Sequence, residues 1–449
     1  MQKITHGENI MHRLSLRNLG PVDECEINCC PFMVMTGEQA SGKSTIAKAI
    51  YYFRTVKDDM FEAVIDRFSL PSVPVQNNKN KPLIKILRET LRRKFLRTFG
   101  YSVSGFRDGM RVSYHYTNEY SITVRLINAK SSGRKILHVE LSRPLTDFIN
   151  EYDKRGLSLE YTDMMKMPYE RIQAEINNAF NDNFGTIYIP SGRSMLTLFS
   201  NSIRFYPVLG FRGSAQDSTI DYCTQSYMER QSAIKGEFSG GLEGIIDYYS
   251  TGSNVPQPWQ TAQGLIHKVL CGKYKTENGE ERIILDDGKY VSLSFASSGQ
   301  QDSLWVTNLL FYYLVRKSPA MFIIEEPESH LFPSSQKHIT DLISLVCNQG
   351  HSVLVTTHSP YILGTMNNLL YASSFTKTAK KNEAAKIIPP SLWIDYGKFS
   401  AWFVKGGRIE DCTDHDMKQI RNEIIDGISD VINDEYDSLL EIDCTEEKS

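Results

Sequence analysis

Four short stretches carry the residue types that phosphate chemistry uses. The first is GEQASGKST, Gly37 to Thr45. Gly37, Gly42, Lys43 and Ser44 meet the spacing G-x-x-x-x-G-K-[ST], whose glycines let the backbone curl until successive N–H groups face anionic oxygens. Glu38, Gln39, Ala40, Ser41 and Thr45 complete the cradle. In this pattern the lysine reaches β- and γ-phosphates and the hydroxyl of Ser44 ligates Mg²⁺, so ATP and Mg²⁺ are the expected ligands. The second stretch, MFIIEEPESHLFP, brings Glu325 and Glu326 to the end of an apolar run. Alternation along a strand turns two neighbouring side chains opposite ways. One of them is then free to face the metal while the other positions or deprotonates a water near the γ-phosphate. The third, VLVTTHSPYIL, ends a run on His358, which can donate to a γ-phosphate oxygen or simply cap its strand. The fourth, FASSGQQDSLW, opens a helix on Ser297, Ser298, Gly299 and Gln300, whose free N–H groups make a second anion site or an ordinary N-cap.

These groups need elements to hold them. HRLSLRNLG and VDECEINCC read as two short strands about the turn at Gly20-Pro21, Met33 to Met35 as a buried strand, and STIAKAIYYF as the helix behind the cradle. A long insertion follows at 57–180. PSVPVQNNKNKP is a loop by composition. In LIKILRETLRRKFLRTFG, Leu83, Ile84, Leu87, Leu91 and Phe95 mark one helical face, Lys85, Arg88, Arg92, Arg93 and Arg97 crowd the rest, and Gly100 ends the helix. RVSYHYTNEYSITVRLI and RKILHVELS read as hairpins, 165–183 as a helix, and GTIYIPSGRSML as a strand running into a loop. Helices and Gly/Ser-rich loops such as SGG and STGSN alternate over 200–275. A helix from DSLW, then AMFII and HSVLVTT with a helix between them, complete the core. The expected organisation is 1–56 and 291–400 as two parts of one head, 57–180 an inserted α+β lobe, 181–290 a strand with a helical lobe, and 401–449 an acidic helical tail.

The bulk numbers narrow the class. At 449 residues, 41% hydrophobic and 23% charged, the chain is an ordinary globular protein with room for more than one lobe. A net charge of −3 supplies no global attraction to nucleic acid. No apolar run approaches the roughly eighteen residues of a membrane span, and the opening MQKITHGENIMHRLSL lacks a signal peptide's apolar core and cleavage site. A cytoplasmic location is expected. The eight cysteines form no C-x-x-C pair, which argues for reduced thiols rather than a zinc site.

Taken in order, the cradle, the glycine-bearing helix start, IIEEPESHLFP and TTHSPYIL resemble the ABC-type ATPase heads of the SMC, RecF and OLD-like families. They look most like the AAA-15/AAA-21 group of bacterial ATPases. The likeness covers roughly 12–55 and 290–375. It implies an α/β fold, an ABC-type P-loop ATPase head with a mixed sheet. It also implies a homodimer or higher homo-oligomer in which Ala296 to Gln300 act as a signature loop, Ser297 and Gly299 touching the γ-phosphate held by the opposite subunit. Glu325 stands where most such heads carry Asp. Glu326 becomes the catalytic base, His330 crosses the dimer interface and His358 is the switch histidine. Ser191 and Arg193 fall near the family's glutamine loop, but no glutamine is there.

Helical heptads are too few for a long SMC-like arm. No TOPRIM pattern follows His358, and DCTDHD at 411–416 lacks the strand and acidic turn that would make one. Two readings remain: an ATPase regulating a separate effector, nuclease or toxin, as in OLD-like anti-phage defence, or a RecF-like DNA-binding clamp contacting nucleic acid through the basic helix at 83–97. A small-molecule kinase shares the cradle but needs neither a signature loop nor a switch histidine.

Overall fold

The computed structural model describes residues 12–68, 81–100, 102–129, 133–155, 167–199, 220–250, 254–421, 427, 429 and 431–440. Most of the loop expected at 71–82, part of STGSN, residues 200–219 and much of the acidic tail lie outside them.

The strands are β1 Arg13–Leu19, β2 Val22–Asn28, β3 Phe32–Gly37, β4 Arg111–His115, β5 Ser121–Asn128, β6 Lys135–Leu141, β7 Gly185–Ile189, β8 Lys273–Glu277, β9 Glu280–Ile284, β10 Tyr290–Ser292, β11 Ala320–Glu325, β12 Ser352–Thr356, β13 Phe399–Lys405, β14 Arg408–Asp411, β15 Thr413–Asp414 and β16 Gln419–Ile420. The helices are α1 Lys43–Arg54, α2 Val56–Phe68, α3 Leu83–Phe99, α4 Arg143–Arg155, α5 Met167–Ala179, α6 Arg193–Phe199, α7 Tyr222–Ile234, α8 Gly241–Tyr249, α9 Gln257–Leu270, α10 Ser298–Arg316, α11 Pro333–Asn348, α12 Pro360–Ser374 and α13 Thr378–Ile387.

One sheet of eleven strands runs β6-β5-β4-β1-β2-β14-β13-β3-β12-β11-β7. Strands β13, β3, β12, β11 and β7 are mutually parallel, while β6 through β2 form an antiparallel wing. The parallel strands β3 and β11 are buried along their whole length, as strands covered on both faces must be. Alternation splits them between two cores. Phe32, Val34, Phe322 and Ile324 pack under α9 to α12, and Met33, Met35, Met321 and Ile323 pack under α1 to α3.

Several expectations meet the structure directly. The insertion at 57–180 does not stand apart in its strands, since β4 pairs with β1 and carries β5 and β6 into the head's own sheet. The stretch after β7 is a three-residue turn and then helix α6, because Ser191-Gly192 is followed by the helix-forming RSMLTLF. The expected helical tail from 401 is corrected. FSAWFVK buries Phe399, Ala401, Trp402 and Val404 and becomes β13, parallel to β3 and central in the sheet. Its acidic neighbours drew attention away from this apolar core.

In the basic helix α3, Leu83, Leu87, Leu91 and Phe95 are buried as the periodicity predicts. Part of its charge points inward. Lys94 Nζ lies 2.6 Å from Asp59 Oδ2, Arg97 donates to Gln225, and Arg92 Nε donates to the Leu137 carbonyl at 2.9 Å.

A polar island sits inside the wing's core. Asp182 lies 2.8 Å from Arg54 and 3.3 Å from Lys57, all nearly fully buried. Beside it His12 Nε2 donates to the Phe180 carbonyl (3.1 Å), so Nδ1 accepts from the Tyr114 hydroxyl (3.0 Å) and the ring is neutral. Burial, then the nearby Arg54 charge, lowers the His12 pKa from 6.5 to about 4. Between those two values the unfolded chain binds a proton that the native chain refuses. The stability linked to His12 is therefore complete above pH 6.5 and is lost as the pH falls towards about 4. Denaturant unfolding at pH 5 should show a loss of about 2 kcal/mol from this residue relative to pH 7.5. His12→Gln, which retains a donor for Phe180, should flatten that slope.

Candidate functional site

Parallel neighbours end on one edge of a sheet, and such an edge is where α/β folds hold ligands. Here β3, β12, β11 and β7 deliver the cradle, His358, the two glutamates and the Ser191–Arg193 turn to that edge.

The cradle needs its glycines for space as well as for conformation. Gly37 has φ 136° and a Cβ there would lie 2.2 Å from the Val404 carbonyl oxygen of β13; Gly42 has φ 114° and a Cβ would lie 2.5 Å from the Val22 side chain. Ala40 is also left-handed, at φ 59°. Gly42 caps α1 without a side-chain bond, so the first turn's N–H groups have no side-chain acceptor. Lys43 folds back over the loop, donating to the Gly37 and Glu38 carbonyls at 2.9 and 2.7 Å. Ser41 Oγ is buried without a partner, while Ser44 is exposed. At the loop's rim Glu38 pairs with Lys405 of β13 (3.3 Å).

The two glutamates diverge where β11 ends. Glu325 is buried; Oε2 accepts from the Ser191 backbone N–H at 3.2 Å and Oε1 has no partner. Glu326 leaves the strand at φ 44°, a costly conformation for a residue with a Cβ. It is held there by its N–H to the Thr356 carbonyl (2.8 Å) and by Arg193 donating to its own carbonyl (2.9 Å). Its carboxylate, only partly exposed, lies 3.9 Å from His358 Nε2. Burial lowers the pKa of Lys43, opposed by the charges of Glu326 and Glu328. Burial and then the Lys43 charge lower that of His358, opposed by Glu326. Lys43, Glu326 and His358 thus form one electrostatic group, with the imidazole neutral near pH 7.

Three side chains gain roles that spacing did not reveal. Glu328 accepts from the Thr357 hydroxyl (2.7 Å) and the His358 N–H (2.8 Å), fixing the turn that carries His358. Burial raises its pKa, against those bonds. The third acid in EEPES was its signal. Asp302, fully buried in α10, bonds His330 Nδ1 and accepts from the Ser194 N–H. An acid inside the apolar face of DSLWVTNLL marked it. Arg193, also fully buried, donates to the carbonyls of Pro190, Asp302, Glu325 and Glu326. It therefore ties the carboxylate turn to α10 as an inward-facing clamp.

Ser297 is the N-cap of α10 in a reciprocal capping box with Gln300, and Gln300 Nε2 also donates to the Leu270 carbonyl at 2.8 Å. The Gln300 side chain is thus committed within the fold, whereas Ser297 and Ser298 face solvent and Ala296 is buried. Gly299 packs on the left-handed turn at His330, where a Cβ would lie 2.6 Å from the His330 carbonyl oxygen. Gly299→Ala should cost about 1–3 kcal/mol of stability by overpacking and shift the helix start, lowering turnover. Unfolding midpoints and a steady-state phosphate-release assay check both. No hydrogen bond among the described residues joins Gly37–Thr45 to Ala296–Gln300.

The residues present fit a magnesium nucleotide. A cradle of inward N–H groups, an unpartnered Ser41 hydroxyl and an unpartnered Glu325 oxygen all await polar partners. Among the described residues no three His, Cys, Asp or Glu gather as a metal cage. No described helix is long and apolar enough to cross a membrane.

A profile of the AAA ATPase domain family matches residues 10–363. No curated protein matches the chain. Among solved structures, the SMC head bound to the C-winged helix domain of ScpA is similar at 12% identity and TM-score 0.38, over 91% of this chain and 98% of that one. The SMC head domain from Thermotoga maritima gives 10% and 0.36, over 90% and 99%. The Smc head with an extended coiled coil bound to the C-terminal domain of ScpA, from Pyrococcus furiosus, gives 12% and 0.38, over 90% and 95%. The family match takes in the cradle, both glutamates and His358, and the chain belongs to the AAA ATPase domain family and is an ATPase.

Proposed function

We propose that two copies of this chain close head to head around ATP, each completing the other's site, and that the cycle regulates a separate effector, a nuclease or toxin, in bacterial anti-phage defence. The observation that carries the reading is the signature loop. Ser297 and Ser298 present a capped helix start to solvent with no link to their own cradle. Phe295, two residues before Ser297, is 85% exposed, and Phe332, two residues after the His330 on which Gly299 packs, is 76% exposed; exposed aromatics near such a helix start suit a surface that another copy covers.

In this reading Lys43 exchanges its two carbonyl partners for phosphate oxygens. Ser44 and Glu325 hold Mg²⁺, which when bound neutralises phosphate charge. Glu326, aimed by its left-handed backbone, takes the proton of the attacking water. His358, neutral and fixed through Glu328, donates to the γ-phosphate oxygens and loses that contact on hydrolysis. Arg193 carries the change to α10 through its shared carbonyls. Differential affinity for the two nucleotide states then drives closing and opening. The alternative, a RecF-like clamp, rests on α3, where Lys85, Arg92 and Arg93 are exposed while Arg97 is committed to Gln225.

The test is co-purification with the product of the neighbouring gene, in ATP and in ADP. Nucleotide-dependent retention, lost in Lys43→Ala, supports effector control. Retention that ignores nucleotide contradicts it.

A further inference from the structure

Two short helices in this chain have too little to rest on. In α13, ten residues long, Ala384 is the one buried side chain. The helix at 431–440 is exposed at every position. Isolated helices of this length are marginal in water, and protein helices owe most of their stability to packing one apolar face. Each of these two has such a face uncovered.

On α13 the face belongs to a groove of about 610 Å³ shared with α12. Tyr371, Phe375, Ala379, Ile387 and the stem of Lys380 line it, and Ile387 is 82% exposed. On the terminal helix Ile432, Tyr436, Leu439 and Leu440 fall at i, i+4, i+7 and i+8, a single apolar stripe, with Tyr436 and Leu439 61% and 64% exposed. Their charges are opposite. Residues 377–388 carry four lysines against one glutamate, a net charge of +3. Residues 431–440 carry three acids, Asp434, Glu435 and Asp437, and no base. The ten residues 378–387 and the ten residues 431–440 each rise about 15 Å.

The chain also brings them together. Ile420 of β16 is pinned to α12 by two bonds with Asn367, its N–H to Oδ1 at 2.7 Å and its carbonyl to Nδ2 at 2.9 Å. Asn368, the next residue, lines the groove. The step from Ile420 to residue 427, where helix is again described, is seven residues, able to span up to about 25 Å. A tether of that reach gives a millimolar-scale effective concentration at the groove.

We infer that the groove between α12 and α13 is the docking site of this chain's own terminal helix, 431–440, whose apolar stripe lies in the groove while its acids meet the lysines of α13. The pairing is independent of the ATP site. Lys43, Glu326 and His358 play no part in it.

Hydrogen–deuterium exchange on the full chain tests the inference. The triple substitution I432D/Y436D/L440D should speed amide exchange over 378–388 by about tenfold or more, an effect of the kind a lost packing partner produces. Unchanged rates would overturn the assignment. The reverse arm uses Lys380→Glu with Lys381→Glu, which should speed exchange over 431–440; no change there would also count against it. Protection of both segments should be independent of protein concentration across a hundredfold range. If it grows with concentration and the mass doubles, a second copy fills the groove and docking within the chain is wrong.

Discussion

Glu326→Gln is expected to bind ATP with near-normal affinity and to hydrolyse it about 10²–10⁴-fold more slowly, the usual contribution of a positioned general base. Gln keeps the size and the polarity of the side chain. The left-handed turn is held by backbone bonds to Thr356 and Arg193, which the substitution leaves alone. What disappears is the proton acceptor beside His358. The variant should therefore collect in the state that precedes hydrolysis. Under the head-to-head reading that state is a dimer, visible as a doubled mass by light scattering in ATP but not in ADP. Single-turnover quench assays separate the chemical step from binding. Normal turnover would remove Glu326 from the base position. Slow turnover in a protein that stays single would keep the base and discard the dimer.

The second large effect comes from mixing two inactive chains. Lys43→Ala removes the cation of the cradle. Ser298→Arg places a bulky cation on the exposed first residue of α10, where the fold has room for it. Each protein alone should be inactive. In a two-fold dimer one site draws both defects and the other draws none. Random pairing puts half of the dimers in the mixed form, each with one sound site, so about a quarter of the normal rate should return. A mixture that stays inactive while each variant folds would show that the cradle and the capped helix start do not share a nucleotide across subunits.

Much of this site was legible because its chemistry is local. Gly37 to Thr45 and Glu325-Glu326 carry their meaning in adjacent residues, and strand alternation sends the two glutamates different ways, although Glu326 takes its direction from the left-handed turn just after β11. The polar side chains that hold the site were not legible to the same degree. Arg193, Asp302 and Glu328 meet their partners across strand ends and helix starts. Arg193 and Asp302 are 109 positions apart, and sequence spacing carries no record of such a contact. The fold shows the same division. Period-2 and period-3.6 patterns located β1 to β3, α1, α3 and α10. They said nothing about sheet order, so the three strands of the insertion looked like a lobe of their own. Strand β13 was missed for another reason: its seven residues precede an acidic stretch whose composition dominated the reading.

That strand has a consequence for how the protein is made. The wall behind Gly37 is the backbone of Val404, and the loop's rim is tied by Lys405. Synthesis runs from the amino end, so a ribosome that has delivered the whole GEQASGKST segment must still add some 360 residues before the partner strand emerges. A growing chain that has not yet delivered β13 therefore lacks the Val404 wall behind Gly37 and the Lys405 tie at the rim.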